Sequence, residues 1–557
     1  MRTFRSAASP LLMIVGALAG CGAEAVGAPH VVVPIGEAPP ALSSAVHSYR
    51  SVRFGKTAVG ANPIEAKDAA GTWHSDVVVE NGRVVRVERI GPSTLRTETT
   101  YVTYGADGAQ TREVRDAYGV EAHTDELTPG GDRSRVQRSG AANENGCARI
   151  HETYDAHGLV ESTSCRDVDG HIVTDADGCQ VHRFEYDDRL RLHRERCFSE
   201  DGKPVAFRLG GQSVVVEYDA RGFEDKITRA NDDESEAVDD EGCASTRYTR
   251  DVGGNAAVVA CLDAAGRPHG MSGTAAIETR KQYDPNGCLR EEGTYDRGNA
   301  IVEILGVARR MHGRDPSCGE LSLAQYDVDS KHAAPDLKVS GYEYVRNAEG
   351  LIVEERCHDA NEAPVSCRDA LGSDGALVRR TYDERGRTTL QLGFTEGDAR
   401  SKMSRTYPHE WRFAYRPDGI SYEVSYFDED GAPAFANGTV AKHAFVFDRL
   451  GSLEDVKSFD ASGRLTPSGT GCAVLRRTYD ASHRLATVEC RGADEVLTAS
   501  TIWVNSIRWP TGTARVLIER TNNVVTGNAF YGVNGELLKR VTWGAERGVR
   551  GPSRPAY

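Results

Sequence analysis

Residues 146 to 165 read "GCARIHETYDAHGLVESTSC". Cys147 and Cys165 stand on either side of a turn signal, Tyr154-Asp155-x-x-Gly158, and each arm between cysteine and turn has strand length. Asp bonds nearby backbone and Gly supplies the positive φ that tight turns need, so the stretch reads as a β-hairpin. With Tyr154 facing Gly158, counting back along the arms places Cys147 opposite Cys165. Cross-strand neighbours lie about 4.5 to 5.5 Å apart at Cα, within reach of a disulfide. The hairpin is expected to staple itself.

The chain repeats this arrangement. Cys179 and Cys197, Cys243 and Cys261, and Cys472 and Cys490 are also 18 residues apart, and each first cysteine follows a glycine. Their midpoints fall on "YDDRL" (186 to 190), "RDVGG" (250 to 254) and "YDASH" (479 to 483). Cys357 and Cys367 flank a second kind of turn, "HDANEAPVS", and form a smaller staple. Cys288 and Cys318 are left over, and their pairing with each other across an irregular stretch stays open. No C-x-x-C or paired-His spacing supports a zinc reading of these cysteines.

The turn signals form a ladder. Tyr154, Tyr186, Tyr218 and Arg250 are 32 residues apart, Tyr283 follows at 33, and Tyr382, Tyr415, Phe447 and Tyr479 continue at 32 or 33. Asp155, Asp187, Asp219, Asp284, Asp383 and Asp480 follow the aromatic residue, and Gly158, Gly222, Gly287 and Gly386 close the turn. "YGADG" from Tyr104 and "YGVNG" from Tyr531 extend the series, while 296 to 343 reads as irregular. A second mark recurs about 13 residues after the first, as in "DVDG" (167 to 170) and "DEDGAP" (428 to 433). Between marks run segments such as "SVVVEY", rich in Val and aromatics. The expected fold is all-β: an elongated array of stacked hairpins in an open sheet, ribbon or spiral, because one hairpin alone is marginal in water.

"YDERGRTTLQ" (382 to 391), "YDARGFEDKI" (218 to 227) and "YDAHGLVEST" (154 to 163) resemble the YD, or Rhs-type, repeats of secreted and surface bacterial proteins. The resemblance spans roughly residues 100 to 540 and implies β-sheet spirals built from such hairpins. The period is longer than the usual YD unit, the staples are extra, and no C-terminal toxin module or protease motif is seen.

The N-terminus, "MRTFRSAASPLLMIVGALAGC", has two arginines, an apolar run and then small residues, a secretory signal too short to span a bilayer. Leu18-Ala19-Gly20-Cys21 resembles the bacterial lipobox, which implies a diacylated Cys21 and anchorage to the membrane. Gly22 in place of Asp implies, for double-membraned bacteria, passage to the outer membrane. The reading is a signal peptide over 1 to 20, a tether over 21 to 72 with a short helix in "PALSSAVHSYRSV" (40 to 52), an array over 73 to 545 and a flexible tail over 546 to 557. With Cys21 lipidated, twelve of the 13 cysteines are left to pair in an exported chain.

A net charge of −15 removes the usual basic footprint of nucleic-acid binding. No Walker loop, G-x-S-x-G or dinucleotide fingerprint falls in a fitting context. The acidic stretches 167 to 178 and 231 to 242 lack the oxygen spacing and distal Glu of a calcium loop, and read as solvated turns. The 16 histidines read as exposed strand or turn residues. No enzyme, cofactor or metal is expected. The expected role is a non-catalytic scaffold in the cell envelope, on an unassigned membrane face, that binds a protein or cell-surface partner. The alternative is a glycan or peptidoglycan binder using the Tyr ladder with Trp503, Trp509 and Trp543; a toxin carrier is a third reading.

Overall fold

The computed structural model describes residues 45 to 542, apart from 57, 65–68, 70, 139–145, 168, 240–241, 272–273, 305, 334–338, 368–375, 396, 403–407, 437–438, 449, 481–484, 501–502, 505–506 and 522–523. Cys21 and Trp543 lie outside them, as does the side chain of Trp503. Among the described residues a single sheet holds 33 strands, and a separate two-stranded ribbon joins Trp503–Val504 to Ile507–Arg508. Every pairing is antiparallel and, beyond the first strands, follows chain order. The sheet is open: its last strand, Leu537–Thr542, pairs among the described residues only with Val524–Tyr531.

One unit serves for the rest. Strand Val181–Tyr186 turns through Asp187 to Leu190 and returns as Leu192–Phe198; the sheet continues into Ser213–Tyr218. Between those strands the chain makes a turn at 199 to 203, a bridge of Phe198 to Pro204, and a further turn at 207 to 211. The turns share one construction. In the first, Asp155 N–H donates to Leu159 O (2.8 Å) and Gly158 N–H to Asp155 O (3.0 Å), while Asp155 Oδ1 accepts the amides of His157 (2.9 Å) and Leu159 (2.8 Å). Asp187, Asp284 and Asp383 repeat both side-chain bonds, and Asp219 accepts the amide of Phe223. Gly158, Gly222, Gly287 and Gly386 hold φ between +71° and +88°, where an L side chain is strained. The second marks are built the same way, for instance at Asp167, Asp263 and Asp460. A third Asp turn precedes some units, Asp175 to Gly178 and Asp239 to Gly242, within the acidic stretches expected as solvated turns; Asp175 and Asp177 are instead buried. The residue after its glycine is the first cysteine of the pair.

Six disulfides join Cys147–Cys165, Cys179–Cys197, Cys243–Cys261, Cys288–Cys318, Cys357–Cys367 and Cys472–Cys490, with Cα separations of 5.1 to 5.4 Å. The expected register behind the first of them needs correction. Tyr154 pairs with Val160, not Gly158, across a bulge, so Cys165 sits opposite Ile150. Cys147 lies before the strand Arg149–Tyr154 and reaches Cys165 from there. The Asp turn and bulge place extra residues on the returning strand, which a symmetric count omits.

Two further expectations are corrected. The helix over 40 to 52 is, where described, strand β1 (Ala45–Phe54). It pairs with β2 (Ala58–Pro63) on one side and β3 (His74–Glu80) on the other. Tyr49, Val52 and Phe54 pack with Val77 and Val79, and with Val84 and Val87 of β4 (Arg83–Ile90). Sheet pairing over ten residues overrides a modest helical propensity, and the sheet thus begins inside the stretch read as tether. The irregular stretch 296 to 343 contains a regular hairpin, Arg309–Arg314 with Glu320–Tyr326. Its turn, "RDPSC", has Arg for Tyr and Cys for Gly. Cys318 adopts φ +65° at the position glycine holds elsewhere, and its disulfide ties the tips of two adjacent hairpins.

The core is correspondingly divided. Small clusters recur along the chain, such as Cys179, Cys197, Phe207 and Val214, or Trp411, Val424, Tyr426 and Ala436. Each unit buries its face against its neighbours, as in repeat proteins.

Candidate functional site

At five of the turns the tyrosine that opens the turn reaches back one unit. Tyr186 Oη donates to Val160 O (2.8 Å), Tyr218 to Leu192 O (2.9 Å), Tyr283 to Ala256 O (3.3 Å) and Tyr479 to Leu453 O (2.9 Å); Tyr382 bonds Ile352 O. Where arginine replaces tyrosine the bond persists: Arg250 to Glu224 O (3.3 Å), Arg314 to Leu289 O (3.3 Å) and Arg346 to Glu320 O (2.9 Å). The acceptor is the residue paired with the previous unit's own Tyr, Arg or Phe across its bulge. Tyr154, at the start of the ladder, donates to Glu152 Oε2 (2.8 Å). Burial pushes the Tyr186 hydroxyl up to about 12 and raises Tyr218 further, so both stay protonated donors. Asp480 follows Tyr479 and borders residues 481 to 484, which lie outside the described ones.

This rim of turn tips meets the N-terminal strands. Lys56 N–H donates to Gly158 O (3.0 Å), and Trp73 N–H to Gly253 O (3.3 Å). Trp73 Nε1 donates to Asn255 Oδ1 (2.7 Å), Ser93 Oγ to Asn286 Oδ1 (2.6 Å) and Tyr118 Oη to Asp315 Oδ2 (2.6 Å). Arg138 pairs with Glu349, and Gly146 lies against Leu450. Successive N-terminal segments therefore touch successive tips, so the open sheet must coil back past its own beginning. Charge is buried in this seam: Arg250 stands 3.8 Å from Glu224. Burial raises the Glu224 carboxyl to about 8 against the opposing pull of Arg250, Arg53 and Arg89.

A second polar cluster lies inside the array. His182 Nδ1 is 2.7 Å from Glu195 Oε1 and its Nε2 is 2.7 Å from Asp175 Oδ2, all three residues being buried. Burial works against the ring's charge, but the two carboxylates outweigh it and hold His182 well above its ordinary value. Burial next to Asp175 raises Asp177 to about 6. At the same strand position in another unit, His443 Nδ1 lies 2.7 Å from Tyr426 Oη with no carboxylate, and burial lowers it to about 4. The expectation that histidines are exposed fails at both, since second strand positions face inward, as at Val214 and Trp411. That column of inward residues was the missed signal.

Asp175, Cys179 and His182 have ligand atoms within 4.8 Å of one another, as do Glu355, Cys357 and Cys367. In both groups the cysteines are disulfide-bonded, which withholds the thiolates a zinc site uses. The exposed group Asp167, Asp169 and His171 turns Asp167 Oδ1 onto two backbone amides of its own turn. Trp509 is buried in the cluster with Cys472, Cys490 and Phe530.

No protein-family model matches the chain, and no curated protein matches it. Among solved structures it is similar to the Photorhabdus luminescens Tc holotoxin pore, at 13% identity and a TM-score of 0.29, over 87% of this chain and 27% of that one. A TcdB2–TccC3–Cdc42 structure gives 13% identity and a TM-score of 0.28, over 86% and 26%. A TcdB2–TccC3–TEV structure gives 11% and 0.30, over 85% and 27%. This chain spans about a quarter of the length of those chains.

Proposed function

We propose that this protein is a lipid-anchored envelope protein whose coiled hairpin array acts as a non-catalytic scaffold for a protein partner. What carries the reading is the use made of the tyrosine ladder. Its hydroxyls are committed to the backbone of the preceding unit and its rings are half-buried, so the row is an internal tie rather than a stacking surface for sugars. Between the rims the strands carry ion pairs such as Arg135 with Asp125 (2.6 Å) and Arg476 with Asp455 (2.9 Å). A stiff polar face of this kind suits contact with another protein, and tethering raises the effective concentration for any envelope partner. Anchorage rests on the lipobox ending at Cys21.

Metabolic labelling with an alkynyl fatty acid checks the anchor: the native chain should take up label and fractionate with membranes, and Cys21→Ala should do neither. Cross-linking in living cells, with mass spectrometry of what is attached, tests the role. A reproducible protein partner supports the scaffold; recovery of sugar or peptidoglycan alone overturns it.

A further inference from the structure

Between the first two turn tips lies a cleft of about 470 Å³, lined by Asp155, His157, Glu161, Phe184, Tyr186, Asp187, Asp188 and Leu190. That volume suits a small ligand. Its floor is apolar: Leu190 is buried, and it packs with Leu159 and Tyr186. Its mouth is acidic. Asp155 and Asp187 spend Oδ1 on the amides of their own turns, and Arg191 pairs with the other oxygen of Asp187 (2.7 Å). Glu161 and Asp188 are exposed and make no hydrogen bond or ion pair among the described residues.

In two other gaps the array fills the corresponding place with its own cation. Arg191, four residues after Asp187, lies over the ring of Tyr218 in the next unit at 4.3 Å, and Arg387, four after Asp383, lies over Tyr415 at 4.5 Å. In the first gap that position is Leu159, and no arginine from the preceding turn reaches Tyr186. Arg53 approaches this ring from the N-terminal strands at 5.6 Å but does not line the cleft. The turn is altered as well, because Leu190 adopts φ +62° where most tips place glycine.

The geometry points to a binding site for an organic ammonium group, the carboxylates meeting its charge and the Phe184 and Tyr186 rings its alkyl body. Aromatic faces attract ammonium through the ring quadrupole, and the attraction grows with desolvation. A neutral polyol would gain nothing from the excess negative charge, and a bare metal ion would leave the apolar floor unused. The ammonium takes the place that Arg191 and Arg387 hold in their gaps. This site does not depend on the lipid anchor or on a protein partner.

The test is saturation-transfer NMR and calorimetry on the full chain. The probes are choline, its neutral isostere 3,3-dimethylbutanol, and Nα-acetyl-lysinamide. Choline should bind saturably and at least about fivefold more tightly than the isostere, the difference expected for one cation–π contact with carboxylate support. Glu161→Gln combined with Asp188→Asn should abolish that preference, whereas Asp201→Asn on the opposite rim should leave it intact. Both altered positions are exposed, and the isostere comparison on the native chain stands even if the double variant misfolds. Equal binding of the isostere, or no saturable binding of either cation, overturns the proposal. Preference for acetyl-lysinamide over choline would assign the site to lysine side chains; the reverse, to free quaternary amines.

Discussion

At the scale of single residues, the two inward histidines make opposite use of one position. His182, held charged between Asp175 and Glu195, has a folded value above its unfolded 6.5, so its contribution to stability is complete below pH 6.5 and is lost as pH rises through the folded value. His443, held neutral beside Tyr426, has a folded value of about 4, so its contribution is present above 6.5 and is lost as pH falls from 6.5 towards 4. Hydrogen exchange, corrected for the intrinsic rate, should therefore show residues 442 to 447 losing protection between pH 7 and pH 4.5 while 181 to 186 keep theirs. Equal loss in both would show that the carboxylates do not hold the His182 charge. The tyrosine tie gives a second expectation. Tyr218→Phe keeps the ring but leaves Leu192 O without its donor, which should cost about 1 to 2 kcal/mol and lower the thermal midpoint.

Elements were legible in proportion to how local their causes are. The Asp turns at 154 to 158 or 382 to 386 need only a side chain and the amides two and four residues on, so five letters specify them. The cysteine pairs follow because one unit length fixes the gap, although the register behind them was misjudged by three residues: the bulge is backbone geometry that composition does not mark. Strand β1 was misread because its partners, β2 and β3, come later in the chain. The hairpin at 309 to 326 was hidden by Arg314 and Cys318, yet the arginine makes the same inter-unit bond as tyrosine. Because each unit touches mainly its neighbours, losing a staple should be felt locally. Replacing Cys243 and Cys261 with alanine opens an 18-residue loop and should cost about 3 kcal/mol by the chain-entropy estimate. Limited proteolysis should then cut between 231 and 262, with the units around Cys147 and Cys472 still protected; uniform digestion would mean that the array unfolds as one body.

For the whole molecule, what the repeat cannot encode is its own closure. Nothing in a 32-residue period says that described segments between residues 56 and 146 will touch the tips of hairpins about 100 to 300 residues further on, because those contacts involve one-off side chains such as Trp73, Ser93, Tyr118 and Arg138. They convert an open sheet into a coil whose start is pinned to its body, and the pin is mostly hydrogen bonds and charge rather than a large apolar interface. Such a seam should be separable from the array. Trp73 contributes its indole bond to Asn255 and the ring beneath Arg89, at 5.3 Å, so Trp73→Ala removes both contacts at once. In the substituted chain, exchange should rise at 251 to 255 and 284 to 288, about 180 residues or more away in sequence, while the strands of those hairpins stay protected by their own ladders. Small-angle scattering should show a larger radius of gyration with unchanged β content. If the tips stay protected and the radius does not change, the coil is set by the twist of the sheet itself and the N-terminal strands merely lie against it.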